Sequence, residues 1–550
     1  MTSLISALPF FGKGIIIGED IAGQVKSSLQ WVSGVVDSPN FIREPKSSNL
    51  SEDQSSWSLR PPGAALLPIP GLLIGLSLSL SVQIGIFIFL LIGGLAWLKI
   101  FERAKVCKSG LLLLSIIIGL QAGTSTLSYS TANIMLFALV PWFLLWAECL
   151  SCSLRTKLIS KKGSIYLIFF LFLLGCFGWV KLSGLIVAGT IGAYLLLSLL
   201  SHKLKISKIV FFLLLGVSFW VPLLLLEKTN HALTGITADG FYGETDSDLQ
   251  APLFGAHWAK STNGFWLAWS TVAAPGYSLP AKRISHGIRD LSLQFSAFTD
   301  WIDKLSINAH VLVAGFVGIC LTILMLREII LSWNKMIPQF QILLICFMIF
   351  PFIGLALLSY RYGWNYLLYH SHTYEFWFVF LIPIFLVFTD QKTLKLPSII
   401  LLSVSFSLPI TYRASLIFSQ ITSNNFVEVS NTESSLGLAP NKFSKAITKI
   451  ESFSKNSKDV LLFLPSGDMS DLVLRTRMRT LAIHFAGGNL PKWNTFKTTE
   501  PLSVFCAYDS SLSSIADFTN SLDTKFPQQI NSEIIHKGEI TVLRVDLSPV

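Results

Sequence analysis

GAALLPIPGLLIGLSLSLSVQIGIFIFLLIGGLAW, residues 63–97, contains no charged side chain. About 18 such residues in a row are enough to cross the ~30 Å hydrocarbon core of a bilayer as a helix. Residues 110–127 and 163–180 are equally free of charge. Working outward, the whole chain is 52% hydrophobic with a mean hydropathy of +0.60, and only 13% of its residues are charged. A water-soluble domain carries about 25%, so there is too little charge here to cover a surface facing water. Only helices and closed barrels satisfy their backbone in lipid. The alternating period of barrel strands is missing, which leaves a polytopic all-α membrane domain.

The pattern predicts about eleven spans, near 63–79, 82–100, 110–128, 131–148, 164–180, 183–200, 208–226, 309–326, 339–358, 374–389 and 397–413. Residues 63–100 admit two readings. They hold either two tightly connected helices or one span preceded by an interfacial or re-entrant helix. Pro61, Pro62, Pro68 and Pro70 favour the second. Basic residues concentrate in one set of short loops: Lys99, Arg103, Lys105 and Lys108, then Arg155, Lys157, Lys161 and Lys162, then Lys203, Lys205 and Lys208. Arg327, Lys335, Lys392 and Lys395 continue the series, while the short alternate loops hold little beyond Lys181 and Arg361. The positive-inside rule makes the basic set cytoplasmic. The loops 227–308 and 359–373 and the tail then fall on the extracytoplasmic face. Three regions follow: 1–62 (a short N-terminal segment and first outer loop), 63–418 (the spans) and 419–550 (a soluble extracytoplasmic domain). In the last, strands are expected over 459–465, 480–485, 502–507 and 540–545, and helices over 443–453 and 511–522, giving a small α/β domain. Residues 1–18 are apolar but short for a span, and no basic stretch precedes them as in a signal peptide.

The net charge of +10 does not indicate nucleic acid, because the basic residues sit in topology-setting loops without a basic, aromatic-interleaved stripe. Of the seven cysteines, six lie in or beside spans and read as small apolar residues. Cys149 and Cys152 have CxxC spacing but no second ligand pair.

Ionisable groups at the outer face are the informative ones in such a chain. Glu19-Asp20 is an adjacent acidic pair, able to serve as base and ligand, or simply a solvated end to an apolar segment. Trp57-Ser-Leu-Arg60-Pro61-Pro62 puts a guanidinium, a good phosphate donor or an interfacial anchor, just before the membrane run. Lys181, in the turn Gly178-Trp-Val-Lys181-Leu-Ser-Gly184, runs against the charge bias of its face, so it is an anion candidate or a snorkelling lysine. Tyr360-Arg361-Tyr362 is followed by His370 and His372, whose spacing without an obvious third ligand argues against zinc. The outer loop 227–308 carries Asp239, Glu244, Asp246, Asp248, His257 and Trp258, and is longer than a connection needs.

Taken in order, Glu19-Asp20, Arg60-Pro61-Pro62, Lys181 with Ser183-Gly184, Arg361-Tyr362 and the soluble tail resemble the GT-C superfamily of membrane glycosyltransferases. The likeness is to the polyprenyl-phosphate-sugar-dependent group that includes protein mannosyltransferases and aminoarabinose transferases. The chain departs from that pattern in having a short first span, and Glu-Asp where Asp-Asp or Asp-Glu is more usual. The resemblance implies an inverting transfer of a sugar from a polyprenyl-phosphate donor to a glycan, lipid or protein acceptor. Asp20 would be the general base and Glu19 its positioning partner. Arg60, Lys181 and Arg361 would hold the donor phosphate, and Trp57, Tyr362, His370 and His372 would line the substrate site. A divalent cation is left open. The location implied is a bacterial inner membrane. Competing readings are a glycan polymerase or ligase, a transporter or flippase of lipid-linked glycans, and a non-catalytic assembly factor. A transporter would call for charges inside several spans and related halves; neither is evident.

Overall fold

The computed structural model describes residues 25, 28, 29, 32, 49, 50, 62–108, 110–112, 131–157, 161–181, 184–200, 210, 216–234, 323, 326, 327, 329–331, 333–347, 349, 443–454, 459–463, 475, 476, 478–482, 496–509, 526–538 and 540–549. The expected spans near 374–389 and 397–413, and nearly all of those near 110–128 and 309–326, lie outside these residues, as does the expected helix 511–522. So does all but a few residues of the loop 227–308.

The opening stretch does not form a span over 63–79. Pro62–Leu66 is a 3-10 turn, and Ile69–Leu73 (α1) is a helix of 5 residues. The prolines explain the interruption, since each lacks an N–H and clashes with a continuing helix. Gly75, at φ 81, then reverses the chain in a conformation that favours glycine. Of the two readings, the structure shows a short helix preceding a long one. That long helix is α2 (Leu78–Arg103), 26 residues in length. It ends where Lys105 N–H donates to the Glu102 carbonyl (2.9 Å) and Val106 N–H to the Phe101 carbonyl (3.1 Å). These two bonds form a Schellman motif, with Lys105 at φ 58 in the position glycine usually takes.

After α2 come α3 (Thr131–Lys157), α4 (Lys161–Gly175), α5 (Phe177–Val180), α6 (Gly184–Leu200), α7 (Val217–Thr234) and α8 (Pro338–Phe347). Among the described residues, three stretches are long and apolar enough to cross a membrane: Leu78–Arg103, Ile134–Ser153 and Lys161–Val180. The chain is an integral membrane protein. In lipid, helices gain nothing from hiding apolar surface, so close packing and buried hydrogen bonds join them. Trp97 on α2 shows this. Its indole donates to the Phe137 carbonyl of α3 (3.1 Å), and its ring stacks on Phe101 at 6.0 Å. Phe143 and Trp146 of α3 meet Phe170 of α4, and Phe143 also meets Phe177 of α5 edge-on at 4.9 Å.

The molecule divides into two compact units. The first takes in the described residues of 86–226 and 323–349, and the second those of 25–85 and 443–549. The second contains a five-stranded sheet: β1 (Val460–Phe463), β2 (Arg479–Ala482), β3 (Leu502–Asp509), β4 (Gln529–His536) and β5 (Ile540–Leu547). Their order is β2-β1-β3-β5-β4, with β1 parallel to β2 and β3, and β5 antiparallel to β3 and β4. Alternation along the strands sends side chains to two faces. Leu461, Phe505, Ala507, Ile540 and Val542 pack under helix α9 (Ser444–Phe453), through its Ala446, Ile447 and Ile450. Val460, Leu462, Val504, Cys506, Leu543 and Val545 form a second cluster on the other face. Strands were expected at four of the five positions. β4 was missed because it is a polar edge strand, with Ile530 and Ile534 exposed and no buried face to impose a pattern.

Candidate functional site

Of the residues singled out in the sequence, Lys181 lies within the described part of the chain. Glu19, Asp20, Trp57, Arg60, Arg361, Tyr362, His370 and His372 lie outside it.

Lys181 sits at a helix break. Helix α4 stops at Gly175, the single turn of α5 follows, and Lys181 leaves that turn in an extended conformation (φ −160, ψ 139). Its N–H donates to the Phe177 carbonyl (3.0 Å), and its own carbonyl accepts from Gly184 N–H (2.9 Å), where α6 begins. The backbone is therefore held on both sides, while the side chain is half-buried. The break is also clamped from α7. The Trp179 indole N–H donates to the Pro222 carbonyl at 2.6 Å. Gly175 lies so close to α7 that a Cβ there would come within 2.1 Å of the Phe219 carbonyl oxygen. Only glycine permits that approach. Discontinuous helices of this kind are where membrane proteins place polar groups at depth, because side chains and neighbouring helices satisfy the freed backbone.

The other informative geometry belongs to the N-terminal segment. Residues 25, 28, 29 and 32 are helical, at the spacing of one helix face, with Val25 and Ser28 fully buried. Ser28 Oγ–H donates to the Ala65 carbonyl in the 3-10 turn. Ser28 follows Asp20 by eight residues, and Ala65 follows Arg60 by five. Further along, Leu50 N–H donates to the Lys497 carbonyl (2.7 Å), and Asn49 pairs in parallel with Lys497. Leu50 is 2% exposed, within the apolar cluster on β1, β3 and β5. No sequence pattern announced these contacts, because they join segments far apart in the chain.

At the opposite end of α2, two of the basic residues read as a topology signal are ion-paired. Lys99 meets Glu102 at 2.7 Å, and Arg103 meets Glu148 of α3. Cys149 and Cys152 are exposed thiols on α3, not joined to one another. Among the described residues, no group of three or more His, Cys, Asp or Glu is gathered as a metal site would require.

No protein-family model and no curated protein matches the chain. One solved structure resembles it: the crystal structure of ArnT from Cupriavidus metallidurans bound to undecaprenyl phosphate. The match has 11% identity and a TM-score of 0.40, over 98% of this chain and 96% of that one. At that score the likeness carries no weight for fold or activity, and no family membership follows from it.

Proposed function

We propose that the chain is a membrane glycosyltransferase of GT-C type that moves a sugar from a polyprenyl-phosphate-linked donor to an acceptor at the extracytoplasmic face. The observation that carries this reading is the Ser28–Ala65 contact. It ties the residue eight positions after Asp20 to the turn that follows Arg60-Pro61-Pro62, and this reading has the acidic pair and the guanidinium act together there. That suits a reaction in which a base deprotonates an acceptor hydroxyl while cations offset the charge of a departing lipid phosphate.

The roles follow from the chemistry. Asp20 takes the acceptor proton and Glu19 positions it. Arg60 offers the phosphate a planar fork of donors. Lys181 supplies a cation beside the helix break, its backbone bonded to Phe177 and Gly184, and Arg361 is the third phosphate ligand. Trp57, Tyr362, His370 and His372 line the sugar and acceptor side. Leu50 lies in the apolar cluster of the C-terminal sheet, which supports reading the first loop and that domain as lying on one side of the membrane. The scarcity of Lys and Arg in the short loops of that set supports reading the side as extracytoplasmic.

The test is transfer by purified protein in proteoliposomes, with the lipid-linked sugar confined to one leaflet. The reading predicts transfer when donor and acceptor share the leaflet facing the soluble domain. Movement of intact lipid-linked sugar between leaflets without transfer would support a flippase and refute this function.

A further inference from the structure

The end of α2 at Arg103 carries a feature that the proposed reaction does not use. After the turn that closes α2, the chain is helical again at 108 and 110–112, and Leu111 N–H donates to the Cys107 carbonyl (2.8 Å). Between α2 and this next segment lies a groove of about 370 Å³, lined by Leu95, Leu98, Lys99, Glu102, Leu111 and Leu112. Four of its six walls are leucine, and its two charged residues are the α2 members nearest the turn. Leu95 is 57% exposed and Leu112 65%, and on an apolar run of a membrane protein such exposure is to lipid tails.

The charges at that end do not cancel. Lys99 is paired with Glu102, and Arg103 with Glu148 of α3. Lys105 and Lys108 are both exposed, and among the described residues no carboxylate pairs with either. Lys105 is also the residue at φ 58 in the Schellman turn, its N–H bonded to the Glu102 carbonyl. Glycine would be relaxed there; lysine costs stability, and what it adds is a positive charge. An apolar slot beside uncompensated cations at the end of a membrane helix suits an amphiphile with a hydrocarbon tail and an anionic head. A free anion would gain nothing from the leucines.

We propose that this groove binds an anionic phospholipid of the leaflet at this end of α2, with an acyl chain against Leu95, Leu98, Leu111 and Leu112 and the head-group phosphate held by Lys105 and Lys108. Because Glu102 occupies Lys99, selectivity for the anion falls to the two turn lysines. The site is at the far end of α2 from the turn at 62–66 and does not depend on the glycosyltransferase reading.

The test uses the full-length protein in detergent with phosphatidylglycerol or phosphatidylcholine of identical acyl chains, the bound lipid being counted by native mass spectrometry. One phosphatidylglycerol is expected to bind about 25-fold more tightly than phosphatidylcholine, about 5-fold from each lysine, the usual strength of one basic residue at an anionic membrane surface. Lys105→Gly and Lys108→Gln should each weaken phosphatidylglycerol about 5-fold and leave phosphatidylcholine unchanged. Lys105→Gly should at the same time raise Tm, which separates its loss of lipid from unfolding. Leu112→Trp puts a larger side chain in the groove and should weaken both lipids alike. Lys161→Gln with Lys162→Gln removes two exposed charges that do not line the groove and should change neither. Equal binding of the two lipids by the wild type, or a loss in the Lys161 and Lys162 variant as large as in Lys105→Gly, would overturn the site in favour of a diffuse surface charge. Unchanged binding by Leu112→Trp would overturn the groove.

Discussion

Gly175→Ala is the perturbation whose size can be worked out most completely. The new Cβ would lie 2.1 Å from the Phe219 carbonyl oxygen and 3.1 Å from Pro222 Cγ, whereas real Cβ atoms essentially never come closer than 3.0 Å. The obstacle is backbone, so no rotamer change relieves it, and α4 and α7 must separate by about 0.9 Å. The Trp179–Pro222 hydrogen bond is 2.6 Å long. The same separation stretches it to about 3.5 Å, beyond useful length. Overpacking of this kind costs about 1–3 kcal/mol, and the lost bond adds about 1 kcal/mol. Thermal unfolding in detergent should therefore show Gly175→Ala destabilised by about 2–4 kcal/mol. Because the hydrogen bond is broken by either route, Gly175→Ala and Trp179→Phe should be less than additive by about 1 kcal/mol in a double-mutant cycle. Wild-type stability for Gly175→Ala, or strict additivity in the cycle, would refute the clamp between α4 and α7.

Lys181→Met should leave the helix break intact, because its backbone bonds to Phe177 and Gly184 do not involve the side chain, and should weaken donor binding about 10- to 100-fold, read as KM. Lys105→Gly should stabilise the protein by about 1 kcal/mol in thermal unfolding, since glycine relieves the left-handed conformation that closes α2. In the soluble domain, partial burial and then the charges of Lys449 and Lys445 hold His536 below its usual 6.5. The unfolded chain therefore takes up that proton first, so stability falls as pH drops below about 6.5 and levels off once the folded form is protonated too. His536→Gln should remove that portion of the pH dependence, measured as Tm across the range.

The membrane character was legible in the sequence because it rests on composition, and a run such as 82–97 has no soluble alternative. The soluble strands were legible where burial on both faces forced long apolar runs, as in Val460–Phe463. β4 was not, since an exposed edge puts no such demand on Gln529–His536. The interruption of 63–79 was legible from its prolines, while the turn at Gly75 needed coordinates. At the site, the Gly178–Gly184 motif marked a real helix break around Lys181. The couplings Ser28–Ala65 and Leu50–Lys497 left no trace, because a serine or leucine in a polar loop looks the same whether or not it meets a distant segment.

The central claim is that the acidic pair performs base chemistry on a lipid-linked sugar, and a single comparison tests it most directly. Purified wild type and Asp20→Asn are given polyprenyl-phosphate-linked sugar and acceptor, with Tm and donor binding measured alongside. Loss of a general base lowers the rate by about 10²- to 10⁴-fold, so kcat should fall by that factor while Tm and donor binding hold. Wild-type turnover in Asp20→Asn would contradict the account.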